Sequence, residues 1–456
     1  MLWCLALLSV VVVGSLYGAR IDLTVTKNHG DRIQAYYLAL AGAEKAKALL
    51  YQDAQDRRQR GIHHTGTLYE ATNEFRDIPF ARGSFRVGHG AGQDEGSTWT
   101  YGIRDEEARL NINTSSKEEL AKLPGSSESL AAAIVDFRDE NEEVTPGGAE
   151  ADTYATLSPP YLPRNQAFES IDELRFVYGM TPDLFLGEDA NRNMTLDPEE
   201  NDGEFSKPMD NQDGRLDFGW SEWVTVTSSM ANTSASGDKR VSIQEADESE
   251  LSMIDGISTD LAKAIVKYRE GNEFQTIANL LDVRSVSDDD DDNNRSSNNN
   301  RNRNNSRSSS RGASRATNRS SSSGSGSKLI STSEFISMSD QVTVKGDEQV
   351  PGRVNVNTAS QEVLSCLPGM TRELAKAIVD YRSSSGYFKS VGAVLNVPDI
   401  TDSIFKQLCP RIGVRSDTFR ILSEGRIHST GARKQIELIV RIGADDLTTL
   451  AYREYP

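Results

Sequence analysis

Residues 1–17, MLWCLALLSVVVVGSLY, form an uninterrupted apolar run, and the first charged side chain is Arg20. At the helical rise such a run spans roughly 26 Å, a little short of the roughly 30 Å hydrocarbon core of a bilayer. The pattern then changes without a break. Ile33, Tyr36, Tyr37, Leu40, Ala43, Lys47 and Leu50 keep a helical stripe through the Ala-rich AYYLALAGAEKAKALL, which predicts one long helix, apolar at its start and amphipathic later. Gly30 is a natural bend point. A cleaved secretory signal is the alternative reading of the first residues, although no basic segment precedes them. Past the helix, GSFRVG from Gly83 and STWTYGIRDEEARLNIN from Ser97 alternate as strands do. Three more strands are predicted near the end, from Thr418, Arg433 and Thr449. In the second of these, Ile436, Leu438, Val440 and Ile442 make an inward face opposite Gln435, Glu437, Ile439 and Arg441. A sheet built from both ends of the chain leaves the residues between to fold as a separate helical lobe.

That lobe repeats. RLNINTSSKEELAKLPGSSESLAAAIVDFRD from Arg109, RVSIQEADESELSMIDGISTDLAKAIVKYRE from Arg240 and RVNVNTASQEVLSCLPGMTRELAKAIVDYRS from Arg353 keep one register. Gly125, Gly256 and Gly369 fall at the same offset, as do Ala131, Ala262 and Ala375 and the pairs Phe137-Arg138, Tyr268-Arg269 and Tyr381-Arg382. Leu120, Leu123, Leu130, Ile134 and Phe137 bridge the turn at helical spacing, so each copy reads as a helix-hairpin-helix. A phosphate-binding hairpin usually carries a second Gly two positions on, where backbone N–H groups form a nest. Ser127, Ser258 and Thr371 stand there instead, and a non-glycine residue at positive φ costs about 1–2 kcal/mol. Each copy has a second half, from Phe168, Phe274 and Phe388, and the first and third reach a further turn at Gly179 and Asp399.

Charge and side-chain chemistry narrow the function. The formal net charge is −18, and the second copy runs through Glu245, Asp247, Glu248, Glu250 and Asp255. Acidic surfaces repel phosphates, so nucleic acid is not the expected partner. His29, His63, His64, His89 and His428 are scattered without zinc or catalytic spacing, so no enzyme is expected. Cys366 and Cys409 are candidates either for one disulfide or for two buried thiols. Within GEDANRNMTLDPEENDGEFSKPMDNQDGRLDFGW, hard oxygens recur at calcium-loop spacing: Asp189, Asn191, Asn193, Thr195 through its carbonyl, Asp197 and Glu200. A second set is Asp210, Asn211, Asp213 and Asp217. A structural calcium ion stapling a long loop is expected there, against the plainer reading of a solvated acidic loop. From Ser285 to Ser327 the chain is almost devoid of apolar residues, and a disordered tether is expected.

An apolar helix running into an amphipathic one and then into strands resembles type IV pilins and pseudopilins. With the units LNINTSSKEELAKLPG and VNVNTASQEVLSCLPG, the chain resembles the K-type minor pseudopilin of the type II secretion system. The resemblance implies an α+β fold: a long N-terminal transmembrane and amphipathic helix, a pilin-like antiparallel sheet, and a large inserted lobe of SAM-like, helix-hairpin-helix units. Expected boundaries are 1–57 for the helix, 58–108 for the first sheet segment, and 109–227, 228–283 and 328–410 for three helical units. The tether takes 284–327 and the C-terminal strands take 411–456. The resemblance also implies a basic leader upstream, cut by prepilin peptidase, and calcium in the helical domain. It implies further a single-pass anchor in the bacterial inner membrane, a periplasmic bulk, and I-type and J-type minor pseudopilins as partners at a filament tip. The absence of acid before Asp22 agrees with a tip subunit that has nothing above it. Two other readings stand beside this one, a membrane-anchored DNA-uptake protein and an exported calcium-dependent adhesin.

Overall fold

A computed structural model describes residues 2–89, 99–192, 196–284, 328–444 and 446–455. The N-terminal helix, α1, runs from Leu2 to Arg60 and continues unbroken through Gly30. One glycine alone does not interrupt the hydrogen-bond ladder, and the expected bend has no break to mark it. The second half of α1 lies on an antiparallel sheet assembled from both chain ends. Its strands run in the order Ile78–Phe80, Gly83–Val87, Thr418–Ile427, Arg433–Ile442, Leu447–Tyr455, and Arg104–Asp105 pairs with the far end of Thr418–Ile427. The expected segment from Ser97 is therefore only partly strand. Its start lies outside the described residues, Thr100 bridges to His89, and short strands form at Arg104–Asp105 and Leu110–Asn111.

The helix face that meets the sheet is built from small residues. Ala39, Ala43, Ala46, Leu50 and Ala54 are buried against Ile421, Ile436, Leu438, Val440 and Ile442, and Ala35 and Leu38 against Phe85 and Ile427. Small side chains bring the helix backbone down onto the strand. At Gly425 a Cβ would lie 2.0 Å from the Ala35 carbonyl oxygen and 2.5 Å from the Ala39 nitrogen. The opposite face of the Arg433–Ile442 strand is not left to solvent, for Gln435 and Glu437 are buried as well.

Each helical unit is closed by a parallel pair of two-residue strands, one from its opening and one from its end. Leu110–Asn111 pairs with Val224–Thr225, Val241–Ser242 with Val342–Thr343, and Val354–Asn355 with Ile412–Gly413. The conserved offsets gain a mechanical meaning inside this clasp. Arg269 donates to the Ala246 carbonyl at 2.7 Å and Arg382 to the Val356 carbonyl at 2.7 Å, and Arg138 reaches the Ser115 carbonyl. These bonds tie the second helix to the opening loop. The aromatic beside each Arg meets the Phe that begins the second half: Phe137 with Phe168, Tyr268 with Phe274 and Tyr381 with Phe388.

The second unit is complete, contrary to the expected boundary at 283. It comprises Val241–Gly346 and forms a compact body distinct from the rest of the chain. Its last helix, Thr332–Met338, is capped by Ser331 as the corresponding helices are capped by Thr181 and Thr401. Phe335 and Met338 are fully buried there. The third unit thus begins after Gly346 and not at 328. The low-complexity run lies outside the described residues, but the positions on either side of it, Arg284 and Lys328, form an antiparallel bridge.

Replacing Gly425 with Val is expected to lower stability by about 1–3 kcal/mol through overpacking against α1. A fall in the urea midpoint, at unchanged slope, measures it.

Candidate functional site

The three hairpin turns take the positive φ that their sequences call for, 72° at Gly125, 93° at Gly256 and 72° at Gly369. The position two residues later does not. Ser127 (φ −133°), Ser258 (φ −73°) and Thr371 (φ −113°) are extended, so the expected strain there is absent. They act as helix N-caps. Each hydroxyl accepts from the amide three residues on, at Leu130, Leu261 and Leu374. The caps occupy helix-start donors that a phosphate would otherwise use. In the third unit, Cys366 and Cys409 are buried as thiols and form no disulfide. Cys366 donates to the Glu362 carbonyl, and burial pushes its thiol up to about 12.

The acidic loop after Leu186 opens and closes at a bridge between Gly187 and Phe218. Of the first candidate set, Asn191, Asp197 and Glu200 come together. Glu200 accepts from the Asn191 and Asp197 amides, and Asn191 Nδ2 donates to Asp197 at 2.8 Å. Asp189 is buried nearby in sequence, while Asn193 and Thr195 lie outside the described residues. In the second set Asn211 Nδ2 donates to Asp217 at 3.0 Å, and the Asn211 Oδ1 accepts from the Asp213 amide. Asp210 accepts from the Asp202 and Gly203 amides. Glu188, which spacing alone did not single out, accepts from the Asn211 and Asp217 amides and joins the second set to the start of the first. Burial and then neighbouring acids raise Glu188 and Glu200, with Asp217 beside Glu188 and Asp197 beside Glu200. The donors are all hard oxygens, as calcium requires. Among the described residues no group of three or more His, Cys, Asp or Glu side chains is arranged to hold a metal ion.

The first half of α1 is bare. Trp3 is 84% exposed and Val11 66%, and Leu8, Val10, Val13, Leu16 and Tyr17 are exposed too. This helix is long and apolar enough to cross a membrane, and none of its most apolar window is buried among the described residues. An apolar surface of this extent marks a contact with lipid or protein.

Between sheet and lobe lies a joint that composition hides. In the sequence Arg104-Asp105-Glu106-Glu107-Ala108-Arg109, the three consecutive acids are buried and each turns to different partners. Asp105 accepts from Ser416 Oγ at 2.5 Å, Asn355 Nδ2 at 3.0 Å and Thr358. Glu106 accepts from Arg420 at 2.6 Å and Thr225 Oγ1 at 2.5 Å. Glu107 accepts from the Ser229 and Thr418 amides. Arg420 also donates to Glu437 at 3.2 Å, Arg109 to Glu222 at 3.2 Å, and Arg104 pairs with Glu222. Four connecting segments, before and after the first unit and before and after the third, are thereby pinned at one point.

The acids of the joint titrate in opposite directions. Burial drives Glu106 upward, but Arg420 and Arg109 outweigh it and hold the carboxyl at about 2; Glu222 is held at about 2 against burial by Arg104, Arg109 and Arg420. Burial raises Asp105, and burial with Asp105 and Asp417 raises Glu107 further. Glu106 therefore adds stability that is present above the ordinary carboxylate pKa and is lost as pH falls toward 2. Glu107 does the reverse, since its folded form keeps a proton that the unfolded chain releases. Its contribution is full below the ordinary value and is lost as pH rises. Glu106→Gln is expected to cost about 3 kcal/mol at neutral pH, whereas Glu107→Gln gains on the parent as pH rises from about 5 to 8. Denaturant unfolding across that range separates the two, and parallel responses would contradict the assignment.

Comparison with known proteins follows this architecture. The family model for type II secretion system protein K matches residues 109–187, and the helix-hairpin-helix motif matches 236–295 and 351–412. Type II secretion system protein K of Pectobacterium carotovorum subsp. carotovorum is 30% identical over 172 residues, 35% of this chain and 50% of that protein. The Klebsiella pneumoniae protein K is 29% identical over 170 residues, 34% of this chain and 48% of that one. The chain thus spans about half the length of the curated relatives it matches. Endonuclease/exonuclease/phosphatase family domain-containing protein 1 of Xenopus laevis is 26% identical over 211 residues, 46% of this chain but 34% of that protein. A solved structure of the GspK–GspI–GspJ complex from the type 2 secretion system of enterotoxigenic Escherichia coli is similar at 14% identity. Its TM-score is 0.43, over 92% of this chain and 97% of the other. The first helical unit is thus matched by the family model for type II secretion system protein K, and two bacterial protein K sequences align with about a third of the chain.

Proposed function

We propose that this protein is a minor pseudopilin that anchors in the bacterial inner membrane and caps the tip of a short periplasmic pseudopilus, nucleating its assembly for protein export. One observation carries the reading: a single helix of 59 residues whose first half is exposed and apolar and whose second half is locked onto an antiparallel sheet. The first half supplies a membrane span that can slide out beside neighbouring helices. The second half makes the sheet move with it. The lobe inserted between the strands adds bulk above the sheet, which blocks addition of a further subunit. I-type and J-type minor pseudopilins are the proposed partners, held mainly through α1. The role is organisational and not catalytic. Its hairpins carry hydroxyl caps where a nucleic-acid hairpin carries glycine, and the chain is strongly acidic.

Calcium is part of the proposal. The acidic loop is rich in side-chain oxygens, and burial and then the like charges of Asp217 and Asp197 push Glu188 and Glu200 upward. A divalent cation would neutralise them and close the loop. Asn191, Asp197 and Glu200 in one set and Asp210, Asn211, Asp213 and Asp217 in the other, with Asp189 and Glu188 between, are the residues that would hold it.

Two outcomes test the reading. Val12→Glu is expected to cost about 2.5–3.5 kcal/mol of insertion at the centre of the span, shifting the protein from membrane to soluble fractions and abolishing secretion and co-purification with the partners. Secretion undiminished by deletion of the gene, or tight, salt-dependent binding of duplex DNA by the full chain, would overturn it. For calcium, thermal unfolding with calcium and with chelator is expected to differ by several degrees, and equal midpoints would retire the ion.

A further inference from the structure

A small cleft opens beside the two-stranded ladder that joins Ser229–Ala231 to Gln349–Pro351. Met230, Val350 and Val391 give it apolar walls, and its charged lining consists of three guanidinium groups, Arg240, Arg353 and Arg415. Its open space is about 300 Å³, solvent at the mouth included, so a bound group would sit at the opening. Arg415 is already engaged, donating to Asp417 at 2.8 Å and to Thr233 Oγ1 at 2.5 Å. Arg353 is not. Its Nε is sealed from solvent without a hydrogen-bond partner, and no carboxylate of the described residues pairs with it. The Arg at the same place in the first unit, Arg109, also has an unpartnered Nε, but its terminal nitrogens donate to the Ser221 carbonyl and to Glu222. Burial, followed by the like charge of Arg240, brings Arg353 down to about 10. The side chain as a whole is half-buried and has no acid beside it among the described residues, and an anion in the cleft would supply the missing partner.

We propose that this cleft is an oxyanion-binding site, in which Arg353, flanked by Arg240 and Arg415, receives one carboxylate or phosphate group while the stem of the ligand lies against Met230 and Val350. The planar donors of a guanidinium suit either group as a two-pronged contact. The group could belong to free phosphate or to the acidic side chain of a bound peptide.

Calorimetric titration of the full chain in detergent, with chloride keeping ionic strength constant, tests the site with inorganic phosphate and succinate as probes. Saturable one-site binding is expected for at least one probe. Arg353→Met should weaken it about tenfold or more, the loss of one charge-assisted contact. Without probe, Arg353→Met is expected to unfold at the same temperature as the parent or higher, because the uncompensated charge is gone. Should the Met variant fail to fold, Arg353→Lys serves instead, keeping the charge, losing the fork and binding more weakly than the parent. Phosphate preferred over succinate identifies the free ion, and succinate preferred identifies an acidic peptide. No saturable binding of either probe, or affinity unchanged in the variant that folds, overturns the proposal.

Discussion

The structure depends on the burial of three consecutive acids. Asp105, Glu106 and Glu107 leave the sheet together, and their carboxylates bind the opening of the third unit, the inner strand of the sheet and the exits of the first and third units. A buried carboxylate costs heavily unless its oxygens are filled, so these contacts are not interchangeable. The arrangement selects one path for four crossing segments. Apolar side chains would hold the segments together but would not distinguish their order.

Around that joint, two kinds of packing divide the work. On one side α1 meets the sheet through alanines and Gly425, a contact in which backbone approaches backbone and little side-chain volume is available to adjust. On the other side the helical units are held by caps, clasps and the Arg that returns to the opening loop, each using local hydrogen bonds. The exposed apolar half of α1 shares in neither. It is the part of the protein whose partners must come from outside.

Much of this was legible in the residues. The long helix, the strands from Thr418 and Arg433 and the hairpin glycines follow from periodicity and register, which are local properties. The joint was not legible. Arg104 to Arg109 reads as a solvated charged run because its meaning lies in Arg420, Ser416 and Thr418, more than three hundred residues away. The last helix of the second unit was hidden for a different reason, since the low-complexity run separates Thr332–Met338 from the half it completes. In the acidic loop, spacing marked the oxygens on Asn191, Asp197 and Glu200 but passed over Glu188, which joins the two sets through backbone amides. At Ser127, Ser258 and Thr371 the residue types were noticed and their backbone was misjudged, because a cap and a strained turn call for the same short polar side chains.

The ladder between Ser229–Ala231 and Gln349–Pro351 brackets the second unit, and the Asn232 amide donates to the Glu348 carbonyl just beyond it. Tension drawn along the polypeptide from the sheet toward the lobe is shunted across this ladder before it reaches Val241. A pull along the chain would therefore load the first and third units and bypass the second, whose two ends leave the body at paired strands.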